Sequence, residues 1–263
     1  MASRQRRRLV AGNWKMNGSL AHLQALAAAI EGGALTGLDH VQLVLLPPSV
    51  YLTEAQQRLG GSGMAWGAQN ICEHAAGAFT GEVSATMLRE IGCSCVLVGH
   101  SERRALFGES DEDVARKFVA ASRCGLTPIL CVGESLEERE RGVTKTVVAR
   151  QLQAVLDLAG PDAFADAVVA YEPVWAIGTG KTAKPEQAQE VHAFIRRHLA
   201  AAGGEVAARL HILYGGSMKL ANARELLAMP DVDGGLLGGA SLNVDEFIAV
   251  ARTAQRLAQG GTA

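Results

Sequence analysis

The chain is patterned by short, nearly unbroken apolar runs. They are separated by longer stretches in which apolar residues recur every three or four positions. The runs lie at 9–12, 41–46, 64–68, 95–99, 128–132, 167–171, 210–214 and 232–237. A strand with one wet face would alternate, so unbroken runs predict strands buried on both faces. Between them, Leu20, Leu23, Ala27 and Ile30 share a helical face. So do Val148, Leu152 and Val155; Val191, Phe194, Ile195 and Leu199; and Phe247, Ile248 and Ala251. Pro185 and Glu186 suit a first helical turn, where proline's missing N–H costs nothing and an acid complements the dipole. Strands alternating with helices at roughly 30-residue spacing are βαβ units and imply a parallel sheet.

A doubly wound open sheet is the rival arrangement. Eight equivalent units with no visible switch point instead predict closure into a (β/α)8 barrel, an α/β fold with a single domain over 1–263. In such a barrel the polar residues that directly follow each strand are the candidates for chemistry.

Composition narrows the class. The 263 residues are 48% hydrophobic and 20% charged, with a formal net charge of −2. That allows a sizeable core and argues against a nucleic-acid partner. The one basic cluster, Arg4, Arg6, Arg7 and Arg8, reads as a solvated lead-in to the first strand. No apolar stretch has the length of a signal core or a membrane span, so a cytoplasmic protein without a membrane partner is expected. Five cysteines without a Cys-x-x-Cys spacing do not form a disulfide framework. Cys93 and Cys95 are expected to share one strand face as small buried residues, and Cys72 and Cys124 to be exposed. No metal is expected, because no His or Cys partner has ligand spacing.

Asn13 and Lys15 follow the first run, His100 the fourth, Glu172 the sixth, Gly215, Gly216 and Ser217 the seventh, and Gly238 and Gly239 the eighth. Three generic motifs fail. Gly178–Thr182 resembles the end of a P-loop, but the required first glycine is Trp175; the same stretch as a loose dinucleotide fingerprint ending in Ala183 fails because a loop separates it from the preceding strand and the helix begins only near Pro185. Gly99-His100-Ser101-Glu102-Arg103 lacks the last glycine of a nucleophile elbow. The paired glycines after the last two strands suit a phosphate, because backbone N–H groups without a neighbouring Cβ approach an anion closely. Together these groups suit proton transfer on a small phosphorylated sugar.

In order along the chain stand Gly-Asn-Trp-Lys-Met-Asn-Gly at 12–18, Gly-Ala-Phe-Thr-Gly-Glu at 77–82, Gly-His-Ser-Glu-Arg-Arg at 99–104, Ala-Tyr-Glu-Pro-Val-Trp-Ala-Ile-Gly-Thr-Gly-Lys at 170–181, Tyr-Gly-Gly-Ser at 214–217 and Gly-Gly-Ala-Ser-Leu at 238–242. In these motifs the sequence resembles the triosephosphate isomerase family over essentially its whole length. The resemblance implies cofactor-free interconversion of dihydroxyacetone phosphate and D-glyceraldehyde 3-phosphate, in glycolysis and gluconeogenesis. It implies Glu172 as base, His100 as electrophile, Asn13 and Lys15 as substrate-binding residues, and Glu102 as a supporting carboxylate. Gly178, Ser217, Gly238 and Gly239 would hold the phosphate. The long 69–81 connection would reach a second subunit and place Thr80 near the partner's Asn13 and Glu102, so a homodimer is implied. Departures are Lys184 before Pro185, Met218 after Ser217, and Leu237 before Gly238.

A free carboxylate, with a pKa of about 4.3, is a weak base. Loss of solvent raises that value, so a lid over 173–181 is expected to make Glu172 more basic and to exclude water from an enediolate. A helix starting at Ser101 or Glu102 is expected to keep His100 neutral, so that it donates a hydrogen bond. Two other readings stand beside this one: an isomerase of a slightly larger ketose phosphate, and a non-catalytic phosphosugar-binding protein. The presence of both Glu172 and His100 argues against the second.

Overall fold

Eight strands form where the unbroken apolar runs lie: β1 Arg8–Asn13, β2 Val41–Leu46, β3 Ala65–Ala68, β4 Cys95–Val98, β5 Thr127–Val132, β6 Val168–Tyr171, β7 His211–Tyr214 and β8 Gly234–Leu237. These come from a computed structural model, which describes residues 6–177 and 182–260. Each strand pairs in parallel with its neighbours in sequence. Gly12 opposite Leu237 closes the ring through β1 and β8. The expected closed barrel is therefore present.

Successive side chains of a strand point to opposite faces, and both faces are apolar here. Leu9, Ala11, Val44, Leu97, Ile129 and Leu213 fill the barrel interior. The alternate residues, such as Val10, Val96, Leu130 and Val169, face the surrounding helices, where they meet Leu23, Phe118, Leu152, Ile195 and Phe247. Burying each of these large side chains stabilises the fold by roughly 1.5–3 kcal/mol. The helix Pro185–Ala202 begins at the expected proline. Lys184 is its N-cap and has no oxygen to offer. Gln187 compensates in part, its Oε1 accepting from the Lys184 N–H at 3.0 Å.

Three expectations change. Cys93 and Cys95 do not share a face, because β4 starts only at Cys95, after a turn at Gly92 with φ +75°. Cys93 packs in the outer layer and Cys95 in the barrel interior. Cys72 is buried, not exposed, while Cys124 is partly exposed. The arginine cluster is not a solvated tail either. Arg6 pairs with buried Asp233 at 2.7 Å, Arg7 donates to the Val41 carbonyl at 3.1 Å, and Arg8 donates to the Val232 carbonyl. They tie up carbonyls at the strands' N-terminal mouth; Arg4 lies outside the described residues.

Candidate active site

The C-terminal ends of β1, β4, β6, β7 and β8 surround a cavity of about 510 Å³. Asn13, Lys15, His100, Glu172, Ser217, Gly238 and Gly239 all line it. The strand-end rule thus brought together residues from five strands. Gly178, the remaining phosphate candidate, lies outside the described residues, as does the 178–181 part of the expected lid.

Glu172 is 2% exposed and directly follows β6, facing three donors. His100 Nε2 lies 2.9 Å from Oε1, the Ser101 N–H donates to Oε2 at 2.9 Å, and the Ser101 hydroxyl donates to Oε1 at 3.3 Å. Burial alone pushes this carboxyl's pKa up. The charge and hydrogen bond of His100, the Ser101 amide and Lys15 together outweigh burial, and the net direction is down. This corrects the expectation of a raised pKa for the arrangement seen here: Glu172 is a stabilised carboxylate, because His100, the Ser101 amide and Lys15 favour its charged form by more than burial disfavours it.

His100 caps the helix Ser101–Phe107 as expected, but through its own ring. Nδ1 accepts from the Glu102 N–H at 3.2 Å, which places the lone pair there and the ring proton on Nε2, facing Glu172. Burial pushes the imidazole down. The charge and hydrogen bond of Glu172, together with Glu102, push it up further than burial lowers it, so with Glu172 in contact the net direction is opposite to the neutral ring expected from the helix start.

Lys15 has φ +53°, the positive-φ conformation that non-glycine residues rarely adopt. Such a conformation persists only where its surroundings hold it. Asn13 Oδ1 accepts the Lys15 N–H at 2.9 Å, and Gln69 donates to the Lys15 carbonyl at 2.9 Å. The ammonium then reaches Glu102 at 2.5 Å. Asn13 therefore orients Lys15 while also lining the cavity. Trp14 is buried beside them and donates to the Ser241 carbonyl at 3.2 Å, locking this segment to the last strand end.

The glycine-rich rim opposite is equally fixed. The 3-10 turn Gly239–Leu242 follows β8, and Ser241 donates to the Gly238 carbonyl through both N–H (2.9 Å) and Oγ (2.7 Å). Asn222 holds the Ser217 carbonyl at 3.0 Å. Among the described residues, a Cβ on Gly239 would meet nothing within 4 Å, and one on Gly238 would meet only the Lys15 side chain at 3.6 Å. These glycines are open toward the cavity and Lys15, which is the room an anion needs beside backbone N–H groups. Gly215 has the opposite reason: a Cβ there would lie 2.9 Å from Glu172 Cγ.

Thr80 does not reach this cavity. It is exposed, with its neighbour Phe79, on the connection between β3 and the helix Ala85–Glu90. Arg103 and Arg104 form structural ion pairs, with Glu109 at 2.5 Å and Asp111 at 2.6 Å. Met218 and Leu237 are both buried, Met218 on the cavity wall. Among the described residues no cluster of His, Cys, Asp and Glu suits a metal.

Two residues escaped the sequence reading. Gln69, after β3, holds the carbonyls of Lys15 and Leu46. Glu134, just after β5, is fully buried and accepts from Tyr171, Trp175 and Arg139. Both occupy strand ends, so applying the strand-end rule to every strand would have found them.

A family model for triosephosphate isomerase matches residues 8–254. Proteins named triosephosphate isomerase match the chain closely: one from Thiobacillus denitrificans is 63% identical over 95% of this chain and 100% of its own. One from Dechloromonas aromatica is 58% identical over 95% and 99%, and one from Nitrosococcus oceani is 54% identical over 94% and 98%. With the barrel and the strand-end constellation already in place, these matches show that the chain belongs to the triosephosphate isomerase family.

Proposed function

We propose that this protein interconverts dihydroxyacetone phosphate and D-glyceraldehyde 3-phosphate, the reaction that its relatives' name describes, as a step of glycolysis and gluconeogenesis. The observation that carries the reading is the contact of Glu172 with His100 at 2.9 Å on the wall of a cavity that also holds Lys15 and an open glycine rim.

The substrate phosphate sits against the backbone at Gly238 and Gly239 and against Ser217. Lys15 offsets the dianion's charge. Glu172 takes a proton from the carbon beside the carbonyl and returns it to the neighbouring carbon. His100 donates from Nε2 to the oxygen that gains negative charge, and neutral imidazole serves because Nδ1 is already held by the Glu102 N–H. To act, Glu172 must leave His100 and Ser101. That one move removes the contacts that lower its pKa, so burial then raises it, and it frees the His100 Nε2–H for substrate. Ile177 and Leu236 supply apolar wall around the reacting carbons.

The protein acts as a homodimer. The 69–81 connection presents Phe79, 42% exposed, and the neighbouring Lys15 segment presents Met16, 95% exposed. Gln69 ties the two segments together, so a second copy covering them would steady Lys15 and bring Thr80 to the partner's site. The chain works as one domain in the cytoplasm. Its five free cysteines suit a reducing compartment, and no helix among the described residues is long and apolar enough to cross a membrane.

A coupled assay on the purified protein with each triose phosphate, and in parallel with a four-carbon ketose phosphate, tests the reading. Rapid turnover of the trioses is expected. Preference for the four-carbon substrate shifts the assignment to the larger sugar, and absence of turnover with retained phosphate binding leaves a binding protein.

A further inference from the structure

The segment that carries Glu172 is held from behind by a buried charge. Glu134 is fully buried against it. Its carboxylate accepts from the Tyr171 hydroxyl at 3.1 Å to both oxygens, and from Trp175 Nε1 at 3.0 Å. Its carbonyl accepts the Val174 N–H at 3.1 Å. Residues on both sides of Glu172 are therefore anchored to this one side chain. Burial and the Glu134 charge keep the Tyr171 phenol protonated and donating.

A carboxylate removed from water is costly unless it is paired. Arg139, from the short helix Leu136–Glu140, supplies the positive charge: Nη1 lies 3.2 Å from Glu134 Oε1. The same guanidinium sits 4.7 Å above the Trp175 ring. A planar cation that stacks on an indole while pairing with its acceptor restrains both partners, a combination that lysine cannot reproduce.

We propose that Arg139 is a positioning residue for Glu172, acting through Glu134 and Trp175 without touching substrate. The proposal rests on the isomerase reading for its kinetic consequence only. Its structural consequence is independent: without Arg139, the 171–177 segment loosens.

The test compares wild type, Arg139→Gln, Arg139→Lys and the double variant Arg139→Gln/Glu134→Gln. A misplaced base costs turnover more than binding, so Arg139→Gln is expected to lower kcat about tenfold while KM and inhibition by inorganic phosphate change by less than about twofold. Arg139→Lys recovers part of kcat through its charge. The double variant is less impaired than Arg139→Gln alone, because the orphaned charge is gone. Amide hydrogen exchange at Val174 accelerates in Arg139→Gln, a readout that needs no turnover and so separates this proposal from the isomerase reading. Unchanged exchange at Val174 overturns the proposal. So does a kcat within about twofold of wild type, or a parallel loss of kcat, phosphate inhibition and thermal stability that marks general unfolding.

Discussion

His100 Nε2 and Glu172 Oε1 lie 2.9 Å apart, so the proposed base and the proposed electrophile occupy each other's working positions. Each satisfies the other, and both are buried on the cavity wall. In the proposed reaction, an entering substrate replaces both halves of this contact, which frees both groups at once. The pair explains how a buried carboxylate is kept ionised without being wasted as a base.

Glu172→Gln keeps the shape of the side chain and removes its basicity. Turnover is expected to fall by at least about a thousandfold, the upper range for a positioned general base. Inhibition by inorganic phosphate should be retained, because the glycine rim and Lys15 are untouched. Near wild-type turnover in the coupled assay would remove Glu172 from its role.

Two glycine substitutions should separate chemistry from anion binding. In Gly215→Ala the new methyl lies 2.9 Å from Glu172 Cγ and 3.1 Å from the Tyr171 carbonyl, so the base is displaced and kcat falls. In Gly239→Ala the methyl meets no atom of the described residues within 4 Å but occupies the proposed phosphate's approach. There phosphate inhibition should weaken by about tenfold, with thermal stability kept. Equal effects of the two substitutions on phosphate inhibition would contradict the assigned geometry.

His192 makes acid stability testable. It is fully buried beside Tyr171 and Tyr214, with Nδ1 donating to the Asp231 carbonyl at 3.1 Å. Burial pushes its pKa down to about 4, against the opposing pull of Asp231 and Asp233. The unfolded chain therefore binds a proton that the folded one refuses between about pH 6.5 and 4. Stability is full above that window and is lost as pH falls through it, by about 3 kcal/mol from this residue. Denaturant titrations across this range should show a shallower decline in His192→Gln than in wild type. Identical slopes would show that His192 does not titrate on unfolding.

If the exposed connection around Thr80 meets a second copy, Thr80→Glu buries an unpaired charge at that contact. Sedimentation should show monomers at concentrations where wild type is dimeric, and activity should fall with dimer content as the Lys15 segment loses its support. A fully active monomer would refute this view of the assembly.

The sequence alone determined the barrel, because burial on both faces leaves a local signature: an unbroken apolar run needs no knowledge of its partners. It also determined where chemistry belongs, since in a closed parallel barrel every strand ends on the same rim. Asn13, Lys15, His100, Glu172, Ser217, Gly238 and Gly239 were legible on that ground and from the motifs that contain them. What each group does at rest was not legible. The pairing of Glu172 with His100 and Ser101 reverses the pKa direction that burial alone predicts, and it joins positions 71 residues apart from Ser101 to Glu172. The lead-in arginines and Cys93 were misplaced for the same reason, since carbonyl partners and a left-handed turn set their positions. Glu134 became meaningful only when folding set it beneath Trp175, 41 residues further on. Apolar burial is written in the order of residue types, but a charge's behaviour depends on distances to particular donors, and only the closed barrel sets those.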